Sequence, residues 1–155
     1  MNHGITLVTG ATGYVGGRLV GELLAAGHTV RVLARQPEKL RDATWFGDVE
    51  VVAGDASDPE ALVRALSGVS VAYYLLHSLQ HGAGLEDAEE QMATRFATAV
   101  REGQVPRVVY LGGLVPNLDV SEMSPHMRSR MQVGNVLRSS GASVIDLRAS
   151  VIFGS

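Results

Sequence analysis

Residues 5–9 are a short β-branched run that leads straight into Gly10-Ala11-Thr12-Gly13-Tyr14-Val15-Gly16, and a segment of helical period follows without a gap. A strand joined to a helix by so short a glycine-rich turn predicts the first half of a βαβ unit. The glycines divide the work: one makes the tight turn, another lets backbone approach a pyrophosphate, and the third lets helix pack on strand. An anion held there sits at the helix N-terminus, where unpaired N–H groups and the helix dipole favour it. The pattern therefore predicts dinucleotide binding, with a merely structural turn as the alternative.

The rest of the chain keeps the same alternation. Strands are expected at 5–9, 29–34, 49–52, 71–75, 107–111 and 143–147, each nearly continuous in apolar residues, as parallel strands covered on both faces should be. Between them, helices are expected at 14–26, briefly after Pro37, from the N-cap Asp58 with Pro59 behind it, over 85–100, and over 124–140 before Gly141. In the fourth, Leu85, Ala88, Met92, Phe96 and Val100 form one stripe, with Glu86, Glu89, Glu90 and Arg101 on the outward face. The prediction is an α/β fold: a doubly wound parallel sheet of six strands in the order 3-2-1-4-5-6, between helices in three αβα layers.

Composition narrows the function classes. With 13 basic and 16 acidic residues among 155, the net charge of −3 gives no electrostatic reason to expect nucleic acid. No apolar stretch reaches the roughly 20 residues of a membrane span, and no basic leader precedes the first strand, so the chain reads as cytoplasmic. The absence of cysteine excludes disulfides, thiolate nucleophiles and thiolate metal sites. No linker or repeat divides residues 1–155, which read as one nucleotide-binding domain; only Val-Ile-Phe-Gly-Ser follows the sixth strand, so a substrate-binding region after it is expected to be absent.

The spacing G-x-x-G-x-x-G, with Thr9 in front, resembles the short-chain dehydrogenase/reductase superfamily. Residues 71–78, 107–114, 124–130 and 147–155 look most like its atypical branch, the NmrA-like and related NAD(P)H-binding proteins. The resemblance covers nearly the whole chain and implies a Rossmann fold with the cofactor across the strand ends. It also implies that Asp55 meets the adenine amino group with Ala56 nearby, and that Leu75, Leu76 and His77 lie beside the pyrophosphate and nicotinamide ribose. For Asp55 the alternative is a residue that satisfies loop backbone donors.

The second strand decides between NADP and NAD. It ends Val32-Leu33-Ala34-Arg35, with no acid before Glu38 to take the ribose hydroxyls. Arg35 is the natural ligand of a 2′-phosphate, because a guanidinium holds phosphate through paired hydrogen bonds; Lys39 or Arg31 could assist. A solvated loop arginine is the alternative. The position favours NADP over NAD.

The superfamily's usual chemistry needs a tyrosine acid, a lysine four residues on, and a serine after strand 5. Lys39 is the single lysine, and Arg35 stands four residues before it. Counted from the fifth helix and its glycine stop, the tyrosine position falls on His126, the lysine position on Arg130, and the serine position on Gly113. Either His126 is the acid, with Arg130 one turn away binding ribose or a substrate oxygen, or both are ordinary helix residues of a domain that binds cofactor without turning it over. The branch contains reductases and redox sensors alike, so the partner is either a small-molecule substrate or a regulatory protein.

Other features read as structure. His77 and His81 have an HxxxH spacing in a loop, so no metal site is expected. Trp45 and Phe46 should pack beneath the loop between strands 2 and 3. Met123, Met127 and Met131 form a stripe that suits core packing, although the fourth and fifth helices of the superfamily often pair across a homodimer.

Overall fold

The computed structural model describes residues 4–77, 84–114, 119–150 and 152. Among them, β1 (Ile5–Thr9), β2 (Val30–Ala34), β3 (Glu50–Ala53), β4 (Val69–Tyr74), β5 (Arg107–Gly113) and β6 (Ser143–Ala149) form one parallel sheet in the order β3-β2-β1-β4-β5-β6. The helices are α1 (Tyr14–Ala25), α2 (Pro59–Leu66), α3 (Leu85–Glu102) and α4 (Pro125–Arg138). This is the expected Rossmann-like arrangement, strand for strand.

Alternation along the strands divides the core. Val8, Val30, Val32 and Ala34 pack against Val20 and Leu23 of α1. Leu7, Leu33, Ala72, Tyr74, Val108 and Tyr110 face the other way, onto Leu62 of α2, Phe96 and Val100 of α3, and Val133 and Leu137 of α4. The sheet is thus the middle of three layers. Helix starts follow the sequence signals: Asp58 accepts the Glu60 N–H at 3.0 Å, and Ser124 Oγ accepts the Met127 N–H at 3.3 Å, each with proline at the first helical position.

Four expectations are corrected. β4 starts at Val69 rather than 71, because Gly68, at φ +69°, turns the chain directly out of α2 into the sheet. The segment after Pro37 is a 3-10 turn, Pro37–Leu40, not an α-helix. A second such turn, Phe46–Asp48, leaves Trp45 and Phe46 packed on the α1-side core. The outer strands are not covered on both faces: β2 is buried throughout, whereas Ile145 and Leu147 of β6 are 43% and 49% exposed. They face the α1 side, and α1 lies over β1 and β2. Finally, Glu89 does not face outward. The buried stripe of α3 runs through Glu89, Ala93, Phe96, Ala97 and Val100, and Ser129 of α4 donates its hydroxyl to the Glu89 carboxylate.

Arg31 shows how the edge is tied down. It points away from the strand ends, 7% exposed, and its Nη1 donates to the carbonyls of Ala65 at 2.9 Å and Ser67 at 2.7 Å, closing the C-terminus of α2. Glu50 of β3 pairs with it at 2.8 Å. One side chain thus joins β2, β3 and α2, and Arg31 is unavailable to assist at a 2′-phosphate. Arg31→Met should keep the stem's packing but orphan these carbonyls, at a cost of about 1.5–3 kcal/mol in chemical denaturation.

Candidate functional site

The sheet grows in opposite directions from β1, towards β2 on one side and β4 on the other. Loops leaving the strand ends part at that point and leave a crevice. A cleft of about 1010 Å³ lies there, at the upper end of the roughly 300–1,000 Å³ of small-molecule and cofactor sites.

The glycine turn forms one wall. Gly10 has φ +76°, and a Cβ on Gly16 would stand 2.2 Å from the Gly10 carbonyl oxygen, so helix and turn meet with no space for a side chain. Gly13 caps α1 without a side-chain hydrogen bond, which leaves first-turn N–H groups open towards the cleft. A pyrophosphate fits this cradle. Gly10, Thr12, Gly13, Tyr14, Val15 and Gly16 line the cleft. Ala11 does not; it is buried in the α1-side core. Below the turn, the buried Thr9 hydroxyl donates to the Tyr73 carbonyl at 2.9 Å and accepts the Leu75 N–H at 3.2 Å, fastening β1 to the end of β4.

At the β2 end, Arg35, Asp55 and Ala56 line the cleft. The Arg35 guanidinium is largely exposed, and its Nε lies 3.7 Å from Asp55 Oδ2. Asp55 also accepts the Ser57 N–H at 2.7 Å, so it does satisfy a loop backbone donor. Burial pushes its pKa up, but the Ser57 hydrogen bonds and the Arg35 charge outweigh that and hold it below the ordinary value of 3.8.

Leu75, Leu76 and His77 leave β4 along the cleft, with His77 Nδ1 3.3 Å from the Leu75 carbonyl oxygen. His81 lies outside the described residues, and no group of three His, Asp or Glu among those described could hold a metal.

The far end is built by β5, α3 and α4. Gly112, Gly113, Glu89, His126 and Arg130 all line it, so the structure brings His126 and Arg130 into the cleft together. His126 is exposed and Arg130 half-buried. The Tyr110 hydroxyl donates to the Arg130 carbonyl at 3.1 Å. Burial pushes the Tyr110 phenol up, against the lowering effect of the neighbouring Arg130 guanidinium. Burial pushes Tyr74 far higher still, with Tyr110 and Glu89 adding to it. Sequence reasoning missed Glu89 here. A glutamate in a glutamate-rich helix reads as solvated, and only its spacing from Ala93 and Phe96 betrays the buried face. The methionine stripe divides: Met123 is buried, while Met127 and Met131 are half-buried.

Residues 10–152 match the family model described as NAD(P)H-binding. The chain belongs to this family. The resemblance to the atypical short-chain dehydrogenase/reductase branch stands. Among relatives, a (4-alkanoyl-5-oxo-2,5-dihydrofuran-3-yl)methyl phosphate reductase of Streptomyces griseus is 44% identical over 94 residues, which is 60% of this chain and 30% of that protein. A ceramide reductase of Caulobacter vibrioides is 28% identical over 98% of this chain and 47% of its own length. Among solved structures, the triphenylmethane reductase of Citrobacter sp. complexed with NADP(H) superposes with a TM-score of 0.74 at 26% identity, over 92% of this chain and 48% of the other. The chain therefore spans less than half the length of each. No helix among the described residues is long and apolar enough to cross a membrane.

Asp55 gives this site a pH dependence. Because its folded-state pKa lies below the unfolded value of 3.8, its carboxylate stabilises the native state in full above that value. The contribution is lost as pH falls through the folded value. Asp55→Asn should lower the melting temperature at neutral pH and flatten the acid limb, so that a series of thermal melts from pH 7 down to pH 2 shows the difference from wild type vanishing at the acid end.

Proposed function

We propose that this chain is the NADP(H)-binding part of a reductase whose catalytic residues depart from the superfamily's usual tyrosine, lysine and serine. The observation that carries the cofactor preference is Arg35, an exposed guanidinium on the cleft rim at the end of β2. It stands where a 2′-phosphate would arrive, and its partner Asp55 is close enough to orient it. When bound, NADPH supplies a hydride. The chain's own residues do the rest. The glycine turn and the α1 N-terminus hold the pyrophosphate; Asp55 and Ala56 flank the adenine; Leu75, Leu76 and His77 line the path to the nicotinamide end, opposite Arg130.

At that end, His126 is the candidate proton donor, since hydride addition leaves a charge to be neutralised by a positioned acid. Its exposure lets it exchange protons with solvent. Two of the relatives, the methyl phosphate reductase and the ceramide reductase, support a reductive direction.

A second reading rests on the count from the fifth helix, which puts His126, Arg130 and Gly113 at the positions of the usual triad: a chain so changed would serve as a non-catalytic, NmrA-like sensor of the NADPH/NADP balance that acts on a protein partner.

Titration separates these proposals. NADP and NADPH should bind more tightly than NAD. Arg35→Ala should lose roughly ten- to a hundred-fold in NADP affinity, with little effect on NAD, as expected for a charge-assisted hydrogen bond to phosphate. Equal and negligible binding of all three would overturn the cofactor assignment. NADPH oxidation across a panel of carbonyl and conjugated acceptors then distinguishes reductase from sensor. In a reductase, His126→Ala should slow turnover about 10²- to 10⁴-fold; an undiminished rate would remove His126 as the acid.

A further inference from the structure

The far end of the cleft contains a cation placed differently from the other arginines that pack against this fold. Arg31 is ion-paired with Glu50 at 2.8 Å and donates to the α2 carbonyls, although its buried Nε makes no hydrogen bond; Arg128 is satisfied by Glu86 at 2.9 Å and the Met123 carbonyl at 2.6 Å, and Arg138 by Asp146 at 2.8 Å. Arg130 has no carboxylate within ion-pair distance among the described residues; its guanidinium has the neutral Tyr110 phenol as a hydrogen-bonding neighbour, and its Nε–H is buried with no acceptor. Burying part of a guanidinium without a counter-charge is costly, and the cost is normally met by a partner.

Nor does the side chain hang loosely. Its stem lies against the end of β5, where the Arg130 Cγ is 3.6 Å from the position of a Cβ on Gly113. The Tyr110 hydroxyl holds the Arg130 carbonyl, and the preceding residue, Ser129, is fixed by Glu89 across the α3–α4 packing. α4 is therefore anchored from the sheet and from α3 on either side of this one residue. A held guanidinium keeps its donor fork in one orientation, which favours planar or tetrahedral oxyanions over neutral groups.

We propose that Arg130 is the substrate-side anion site of the cleft, taking a carboxylate or phosphate oxygen of the molecule to be reduced rather than a ribose hydroxyl of the cofactor. This assignment rests on the reading that a dinucleotide occupies the cleft with its nicotinamide end towards β5. Glu89 lines the same end of the cleft, with its carboxylate already engaged by the Ser129 hydroxyl. The substrate class is a small acceptor with one anionic group next to its reducible carbon.

The test is a titration of the NADP-saturated chain with inorganic phosphate, and separately with acetate, against chloride at equal ionic strength. It is read by nuclear magnetic resonance at the arginine Nε–H signals, with Arg130 assigned from its loss in Arg130→Lys. The Arg130 signal should shift saturably with at least one of the two anions. Measured by calorimetry for wild type and variants alike, that binding should weaken at least tenfold in Arg130→Gln and less in Arg130→Lys, and both variants should keep wild-type melting temperatures and NADP affinity within twofold. A flat Arg130 signal with both anions would overturn the assignment. So would undiminished anion binding by Arg130→Gln, or a tenfold loss of NADP affinity in that variant, which would assign the guanidinium to the cofactor. If NADP does not bind the wild-type chain, the same Arg130 signal is followed without it. The cofactor reading then fails while the anion site is still decided.

Discussion

The contact on which the site depends is the approach of Gly16 to the Gly10 carbonyl. A side chain at 16 would have to occupy the 2.2 Å between them, so only glycine lets α1 start directly beneath the turn. That proximity aims the N-terminus of α1 across the ends of β1 and β4, where the sheet reverses its direction of growth. Thr9 secures the same junction from below, and the cleft inherits its position from these backbone contacts. Little of this is apolar burial. Hydrophobic packing makes the layers, but close backbone approach decides where they leave a crevice.

How much could be read from the sequence follows from the period of each signal. All six strands were legible because each is a short run nearly continuous in apolar residues, set between segments of helical period. Their limits shifted where a left-handed glycine such as Gly68 set the boundary. The glycine turn was legible as a cradle because its spacing is itself the geometry. Two side chains were misread for one reason: charge suggests solvent. Glu89 was assigned to the outer face of α3, and Arg31 was offered to a phosphate, yet both are buried and matched by partners far away in sequence, Ser129 and the α2 carbonyls. A chain cannot announce a partner forty residues distant through local pattern.

The cleft also has an electrical layout. Arg35 and Arg130 stand at opposite ends, the first exposed and paired with Asp55, the second held in place without a carboxylate beside it. Between them the lining is largely glycine, leucine and alanine. Such a trough offers orientation as much as affinity, because a long ligand with anionic groups at two points can lie in it only one way.

The uncovered flank of β6 adds a mechanical gradient to that layout. β1 is buried on both sides, whereas Ile145 and Leu147 leave β6 exposed on one face among the described residues, held by β5 and by the Arg138–Asp146 link to α4. Strands with fewer buried contacts exchange their amide protons through smaller, more frequent openings. Ala149 and Ser150, which close the cleft beside Arg130, hang from that softer strand. The glycine turn belongs to the most rigid part of the molecule. One wall of the same cavity is thus a fixed template and the other a compliant edge, able to adjust to ligands of different breadth without disturbing where the phosphates lie.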